Sequence, residues 1–313
     1  YFDGENRAYV LADNALHVQR EGAWEIAPLS LAAQAPKETV RQRITKVAFD
    51  DRDTLYTVGT AGGQAVLLYS HDRGRTMRSS SIPGGGTFDI EQFSGHNVPS
   101  SPPALVRFKR TARDPKLKWR SLNDLDLFLP KRDGDSILVG DPVTLSRTSI
   151  GLSAHSGIPS SVVSRGTRVH VAWGEATDPA DKAPGVPTYV ATFERGKGLL
   201  GEPALVGYGP PANDVHNSPC ITIDSKGILH VLVGTHGRTF KYARSVQPNN
   251  AHGGWSEPRD VGPGLRQTYV GLVCDQEDNL HLVFRLWQSA GNYFPGGSYA
   301  QLAHMVKPAG QAW

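Results

Sequence analysis

The chain has 313 residues, with 33 Lys and Arg against 30 Asp and Glu, so its formal charge of +3 is a mild bias rather than a nucleic-acid-binding polycation. Apolar residues make up 39% and charged residues 20%, the makeup of a compact globular chain. No apolar run approaches the length of about 18 residues that a membrane span requires, so neither nucleic acid nor a membrane is an expected partner.

From the N-terminus, one pattern returns along the chain: WEIAPL at 24–29, SSSIPGG around Pro83, GDPV at 140–143, GEPAL at 201–205 and WSEPRDV at 255–261. Pro28, Pro83, Pro142, Pro203 and Pro258 are separated by 55, 59, 61 and 55 residues, a module of about 57. Inside the modules, RITKVAFDDRDTLYTVGT, SSVVSRGTRVHVAWGEA, SPCITIDSKGILHVLVGTHG and VGLVCDQEDNLHLVFRLW alternate apolar and polar residues across Asp, Gly or Asn turns. That period of two is the signature of half-buried antiparallel strands. Ser70-x-Asp72-x-Gly74-x-Thr76 resembles the Asp-box turn of sialidase-type propellers, in which the Asp bonds the backbone of its own turn. The predicted fold class is all-β: a β-propeller of four-stranded antiparallel blades. Residues 1–313 are expected to form a single propeller domain of five to six blades, a fragment or processed form of a seven-bladed protein.

The side chains with chemistry fall into slots of this repeat. The basic run Arg107–Arg120 reads as a solvated hairpin. Cys220 and Cys274 read as buried, unpaired thiols, and no CxxC or HExxH spacing argues for zinc. His170, His230 and His281 open the second strand of successive blades, and such repetition argues for a packing role. His96, His155 and His216 precede first strands, with Tyr269 in the same slot of the last full blade, and they are expected to converge. His236 and Arg285 lie at the ends of second strands, on faces that reach one cleft. An Arg within VFRLW is poorly placed for mere solvation; a structural ion pair is the bland alternative.

Residues 145–300 resemble the propeller-type ulvan lyases of polysaccharide lyase families 24 and 25, within the wider group of BNR-repeat proteins. The matching features are HNSP at 216–219, GTHG at 234–237 followed by FKYARS, Tyr269 and FRLW at 284–287, with spacings of 20 from His216 to His236 and 16 from Tyr269 to Arg285. The resemblance implies β-elimination on an acidic, sulfated, uronic-acid-containing polysaccharide. In that chemistry Arg285 neutralises the uronate, and Tyr269 with His216 or His236 supplies base and acid. The sequence does not divide those roles between the two histidines. Asn217, His155, Tyr242 and Arg238 are the expected substrate contacts. No cofactor is expected for catalysis, a structural metal ion being left open, and the protein is expected to act as a secreted or periplasmic monomer. The alternatives are a rhamnose–glucuronate lyase or glycosidase on the same propeller, and a non-catalytic carbohydrate-binding propeller.

Overall fold

The computed structural model describes residues 1–12, 15–27, 30–31, 46–61, 63–97, 102–112, 121–152, 160–288 and 299–313. Six blade-like sheets of three to five strands run through them, with one two-stranded ribbon, Lys131–Asp133 against Ser136–Leu138. Helix is confined, among the described residues, to single 3-10 turns at Pro179–Asp181 and Val215–Asn217. The chain is therefore all-β, as the alternation predicts, though the blades are less uniform than four strands each. Tyr9–Ala12, Ala15–Arg20 and Ala23–Ile26 make a three-stranded first sheet, whereas the second and fourth have five strands.

Residues Tyr1–Phe93, Val98–Arg107 and Asp126–Val143 form one compact unit, and Ser94–Asn97, Phe108–Leu125 and Thr144–Trp313 form another. In the first unit the Asp box closes the hairpin between Gln64–Ser70 and Thr76–Ser81. Asp72 accepts hydrogen bonds from Ser70 Oγ (2.7 Å), Thr76 N (2.8 Å) and Thr76 Oγ1 (2.6 Å), and Gly74 turns the chain at φ +83°, where a side chain would be strained.

A second turn device recurs in both units. Asp3, Asp50, Asp224 and Asp275 each accept from the backbone N–H two and four residues on. The other carboxylate oxygen of each meets the side chain six residues on: Tyr9, Tyr56, His230 and His281. His230 and His281 are thereby structural, as their repeated slot predicts. In the fourth sheet Ser164 takes the place of the Asp, and buried His170 pairs instead with Thr192 Oγ1 and Asn249 Oδ1, both at 2.8 Å.

The module prolines divide. Pro142, Pro203 and Pro258 stand immediately before the last strands Val143–Ser149, Ala204–Gly209 and Arg259–Val261, where a missing N–H leaves no inner ladder bond unmade. Pro83 instead follows Thr76–Ser81, so it is not equivalent to them, and Pro28 lies outside the described residues. Arg107, at the start of the predicted solvated hairpin, is buried and bonds Asp126 at 2.7 Å; residues 113–120 of that run lie outside the described residues.

Two sheets of the second unit carry the functional side chains. The fifth contains Cys220–Ile223, Leu229–Val233, Phe240–Arg244 and Arg259–Val261, and the sixth contains His236–Arg238, Arg266–Cys274, Leu280–Gln288 and Tyr299–Lys307. Leu280, Leu282 and Phe284 alternate into a core shared with Leu232, Phe240 and Val270, each burial stabilising by about 1.5–3 kcal/mol. Cys220 and Cys274 lie in this core, neither of them in a disulfide.

Candidate active site

The segment between the second and third strands of the fifth sheet crosses to the edge of the sixth. There His236–Arg238 pairs with the strand Arg266–Cys274, His236 facing Thr268. Thr268 in turn faces Arg285 in the next strand. His236 and Arg285 therefore share a sheet, a more direct link than two adjacent blades.

His216 arrives from the 3-10 turn Val215–Asn217, whose N-cap is Asp214. Asp214 Oδ1 accepts from His216 N (3.0 Å) and His216 Nδ1 (2.6 Å), and its Oδ2 accepts from His236 Nδ1 (2.9 Å). One carboxylate thus holds two imidazoles, whose centroids are 4.6 Å apart. Burial acts to raise the Asp214 pKa, but the hydrogen bonds from His236 and His216 outweigh it and hold the group below the ordinary carboxylate value. A charged acceptor at Nδ1 fixes the proton there and leaves Nε2 of each neutral ring with the lone pair.

Close approach of backbone makes this meeting possible. A Cβ on Gly234 would lie 2.4 Å from Ser218 O, so only glycine lets the His216 turn pack on the strand end that leads to His236. Asn217 secures the same turn: its Nδ2 donates to Gly209 O and Pro211 O, both at 2.7 Å, and the residue is fully buried. The expected sugar contact by Asn217 is accordingly corrected to a structural one.

Tyr269 occupies a bulge, where the register with the neighbouring strand shifts between Thr268 and Gly271. Its φ of +59° is unfavourable for a bulky residue, and such conformations cost about 1–3 kcal/mol, borne where the surroundings dictate them. The bulge aims the ring at the site: its centroid is 5.5 Å from that of His216, edge to face, and the Arg285 Cζ stands 4.0 Å from it. Trp287, two residues on and on the same strand face, also approaches the guanidinium, its ring centroid 4.2 Å from the Arg285 Cζ. Among the described residues no carboxylate pairs with Arg285, and its buried Nε has no hydrogen-bond partner. The ion-pair alternative for Arg285 is thus not realised among them.

The structure therefore brings His216, His236, Tyr269 and Arg285 into one cluster and adds Asp214 and Trp287, which sequence reasoning missed. An Asp two residues before His216 and an aromatic two residues after Arg285 were the available signals. Arg238 is exposed on the short strand of His236. Tyr242 is not available to a sugar: it is buried, stacked on His230 and bonded to His230 Nδ1 at 2.7 Å, so its expected role is corrected to packing. His96 does not join His216 either; its Nε2 lies 2.9 Å from Asp275 O and 3.2 Å from Asp278 Oδ1. His155 lies outside the described residues.

Asp214, His216 and His236 also offer donor atoms within 4.8 Å of one another. Their 2.6 and 2.9 Å contacts are hydrogen bonds, shorter than the roughly 3.3 Å between two ligand atoms on a tetrahedral zinc.

Residues 199–312, which include the whole cluster, match the model of the BNR repeat-containing family. Comparison with curated proteins gives no significant match. Among solved structures, a Dyadobacter fermentans protein of unknown function is similar at 13% identity and a TM-score of 0.46, over 82% of this chain and 77% of that one. Trypanosoma rangeli sialidase is similar at 11% and 0.44, over 86% and 48%. The xylan beta-1,4-xylosidase of Bacillus halodurans is similar at 12% and 0.42, over 85% and 54%. Likeness of this degree carries no inference about the chemistry of this chain.

Proposed function

We propose that the cluster is the active site of a polysaccharide lyase that cleaves an acidic, ulvan-like polysaccharide by β-elimination at a uronic acid. The observation that carries this reading is Arg285: a guanidinium within 4.0 and 4.2 Å of the Tyr269 and Trp287 rings, without a carboxylate partner among the described residues, where the Tyr269 ring also meets His216. Such a cation suits a planar carboxylate, which it binds through paired hydrogen bonds. The C5 proton of a uronate is weakly acidic because the adjacent carboxylate is already negative, and neutralising that charge stabilises the enolate that forms.

The C5–H bond then breaks toward a base, the C4–C5 double bond forms, and the 4-linked oxygen leaves with a proton from an acid. Nε2 of His216 or His236 and the Tyr269 hydroxyl fill these two roles, each worth on the order of 10²–10⁴-fold. Asp214 is a positioning residue that fixes the tautomer of both rings. A glycosidase mechanism needs two carboxyl groups flanking the bond, whereas both oxygens of Asp214 are engaged by imidazole. The substrate class carries the further proposal of a secreted or periplasmic location.

The test is the ultraviolet absorbance of the unsaturated uronate during incubation with ulvan, heparin, chondroitin and alginate. Ulvan is expected to give a rise that Arg285→Ala slows by at least 10²-fold with an unchanged circular dichroism spectrum. New reducing ends without that absorbance would make the protein a hydrolase, and neither signal on any polymer would make it a binding propeller.

A further inference from the structure

Outside the proposed active site, the fourth sheet carries a side-chain cluster that the catalytic reading does not use. Trp173 in the strand Arg168–Gly174 faces Tyr189 in Val186–Glu194, and Tyr189 faces Leu205 in Ala204–Gly209; Tyr208 of that last strand faces Pro187. Directly opposed residues share a sheet face, as do residues two apart on one strand, so Trp173, Tyr189, Leu205 and Tyr208 lie on one side of the sheet. The buried Trp173 ring stacks on Tyr189, with centroids 6.1 Å apart and 29° between the planes. Leu205 and Tyr208 are 43% and 39% exposed, so the platform is open to solvent at its outer strand. Glu175 stands at one end of it: its Oε1 accepts from Trp173 Nε1 (2.6 Å) and its Oε2 from Thr148 Oγ1 (2.8 Å). Burial raises the Tyr189 pKa, and Tyr208 and Glu175 add to the rise, as neighbours of the same phenol do. All of these residues belong to the second compact unit.

We propose that Tyr189, Tyr208, Leu205 and Glu175 form a further sugar-binding subsite, continuous with the catalytic cluster, that takes an uncharged residue of the polysaccharide. Its role as a subsite rests on the reading of that cluster as a polysaccharide-cleaving site. A pyranose presents C–H groups on its faces and hydroxyls around its rim; aromatic rings suit the first and a carboxylate acceptor the second. Each oxygen of Glu175 keeps a lone pair beyond the bond it already accepts. Both of its partners are neutral, so its negative charge stands beside the platform and disfavours a sulfate or a uronate there. Hydrogen bonds tie both ends of the platform to the catalytic residues. Two residues beyond Glu175, Thr177 N donates to Asn213 Oδ1 (2.9 Å) and Asn213 Nδ2 donates back to Thr177 O (2.7 Å), and Asn213 directly precedes Asp214. Two residues beyond Tyr208, Pro210 O accepts from His236 N (3.1 Å), while Gly209 O accepts from Asn217 Nδ2 (2.7 Å). A glycan engaged at the imidazoles therefore extends onto the platform. Arg285 takes a uronate and Glu175 turns one away, so two charges of opposite sign set which linkage of a mixed polymer reaches the base.

The experiment is calorimetric titration of the whole chain with carboxyl-reduced, desulfated ulvan. That neutral polymer has no uronate to eliminate, so its binding is read independently of the ultraviolet assay for cleavage. Native protein is expected to bind it. Tyr208→Ala, at an exposed position, is expected to bind it about tenfold or more weakly, and Tyr208→Phe to keep the native affinity because the ring makes the contact. Carboxyl-reduced ulvan that retains its sulfates tests the charge: Glu175→Gln is expected to improve its affinity, relative to that of the desulfated polymer, by about threefold. No binding by native protein overturns the proposal, as does native affinity in Tyr208→Ala or its loss in Tyr208→Phe, and an unchanged ratio in Glu175→Gln overturns the selection of an uncharged sugar. Cleavage of ulvan without binding of the neutral polymer would strike the subsite alone, and binding without cleavage would strike the lyase reading alone.

Discussion

Asp214 is the residue on which the proposed chemistry turns, because one carboxylate sets the proton position of two imidazoles. An amide in its place would present an N–H to one ring and force the other tautomer. Asp214→Asn is therefore expected to lower kcat on uronate polymer by 10²–10⁴-fold, the scale of an acid–base contribution, with KM little changed and the pH profile displaced. A rise in KM with kcat unchanged would assign Asp214 to substrate binding instead. Tyr269→Phe keeps the ring under Arg285 and deletes only the hydroxyl, so a variant with native stability and at least 10²-fold slower turnover is expected; native turnover would remove Tyr269 from the acid–base pair. At this scale the meeting of His216, His236, Tyr269 and Arg285 was legible from their slots in the repeat, whereas the same slot misplaced His96. Asp214 was not, because its contact with His236 spans 22 residues and depends on the tight packing at Gly234.

Strands and turns follow from short-range chemistry, and their predictions concern stability rather than turnover. Asp72 ties the ends of its hairpin through three side-chain hydrogen bonds. Asp72→Ala is expected to cost about 1–3 kcal/mol, seen as a lower thermal midpoint with unchanged activity in what survives; an unchanged midpoint would show the turn to be held by its glycine alone. The recurring Asp turn was half legible. The repeated slot of His230 and His281 stood out, but not that each meets the Asp six residues before it, and Tyr9 and Tyr56 were hidden because a phenol replaces the imidazole. Asn217 and Tyr242 were misread for a related reason: alternation says which residues share a face, not whether that face meets a neighbouring sheet or a ligand.

Over the whole molecule the titrating groups point to loss of stability in acid, in two stages. Burial holds His170 down to about 4 from its ordinary 6.5, so the native state resists a proton that the unfolded chain accepts. The stabilisation is complete above pH 6.5 and lost as pH falls toward 4, on the order of 3 kcal/mol. Burial raises the pKa of Asp50, Asp72, Asp214, Asp224 and Asp275, but their hydrogen bonds outweigh it, leaving all five below the ordinary 3.8, Asp275 at about 2. Their contribution is present above pH 3.8 and disappears as pH falls through the depressed values. Thermal midpoints are expected to decline between pH 6.5 and 4 and again below 3.8; His170→Gln is expected to flatten the first decline, and a midpoint insensitive to pH across both ranges would contradict the assignment. The sequence by itself determined the all-β class, the module of about 57 residues, the strand faces and the Asp box, because alternation and turn bonds act within a few residues. Tertiary structure alone decided that the strand His236–Arg238 crosses to the next sheet, that a bulge turns Tyr269 toward Arg285, and that His96 lies with Cys274 rather than with His216. Those contacts join residues 16 to 178 positions apart, and only the packing of one sheet on another fixes which of them meet.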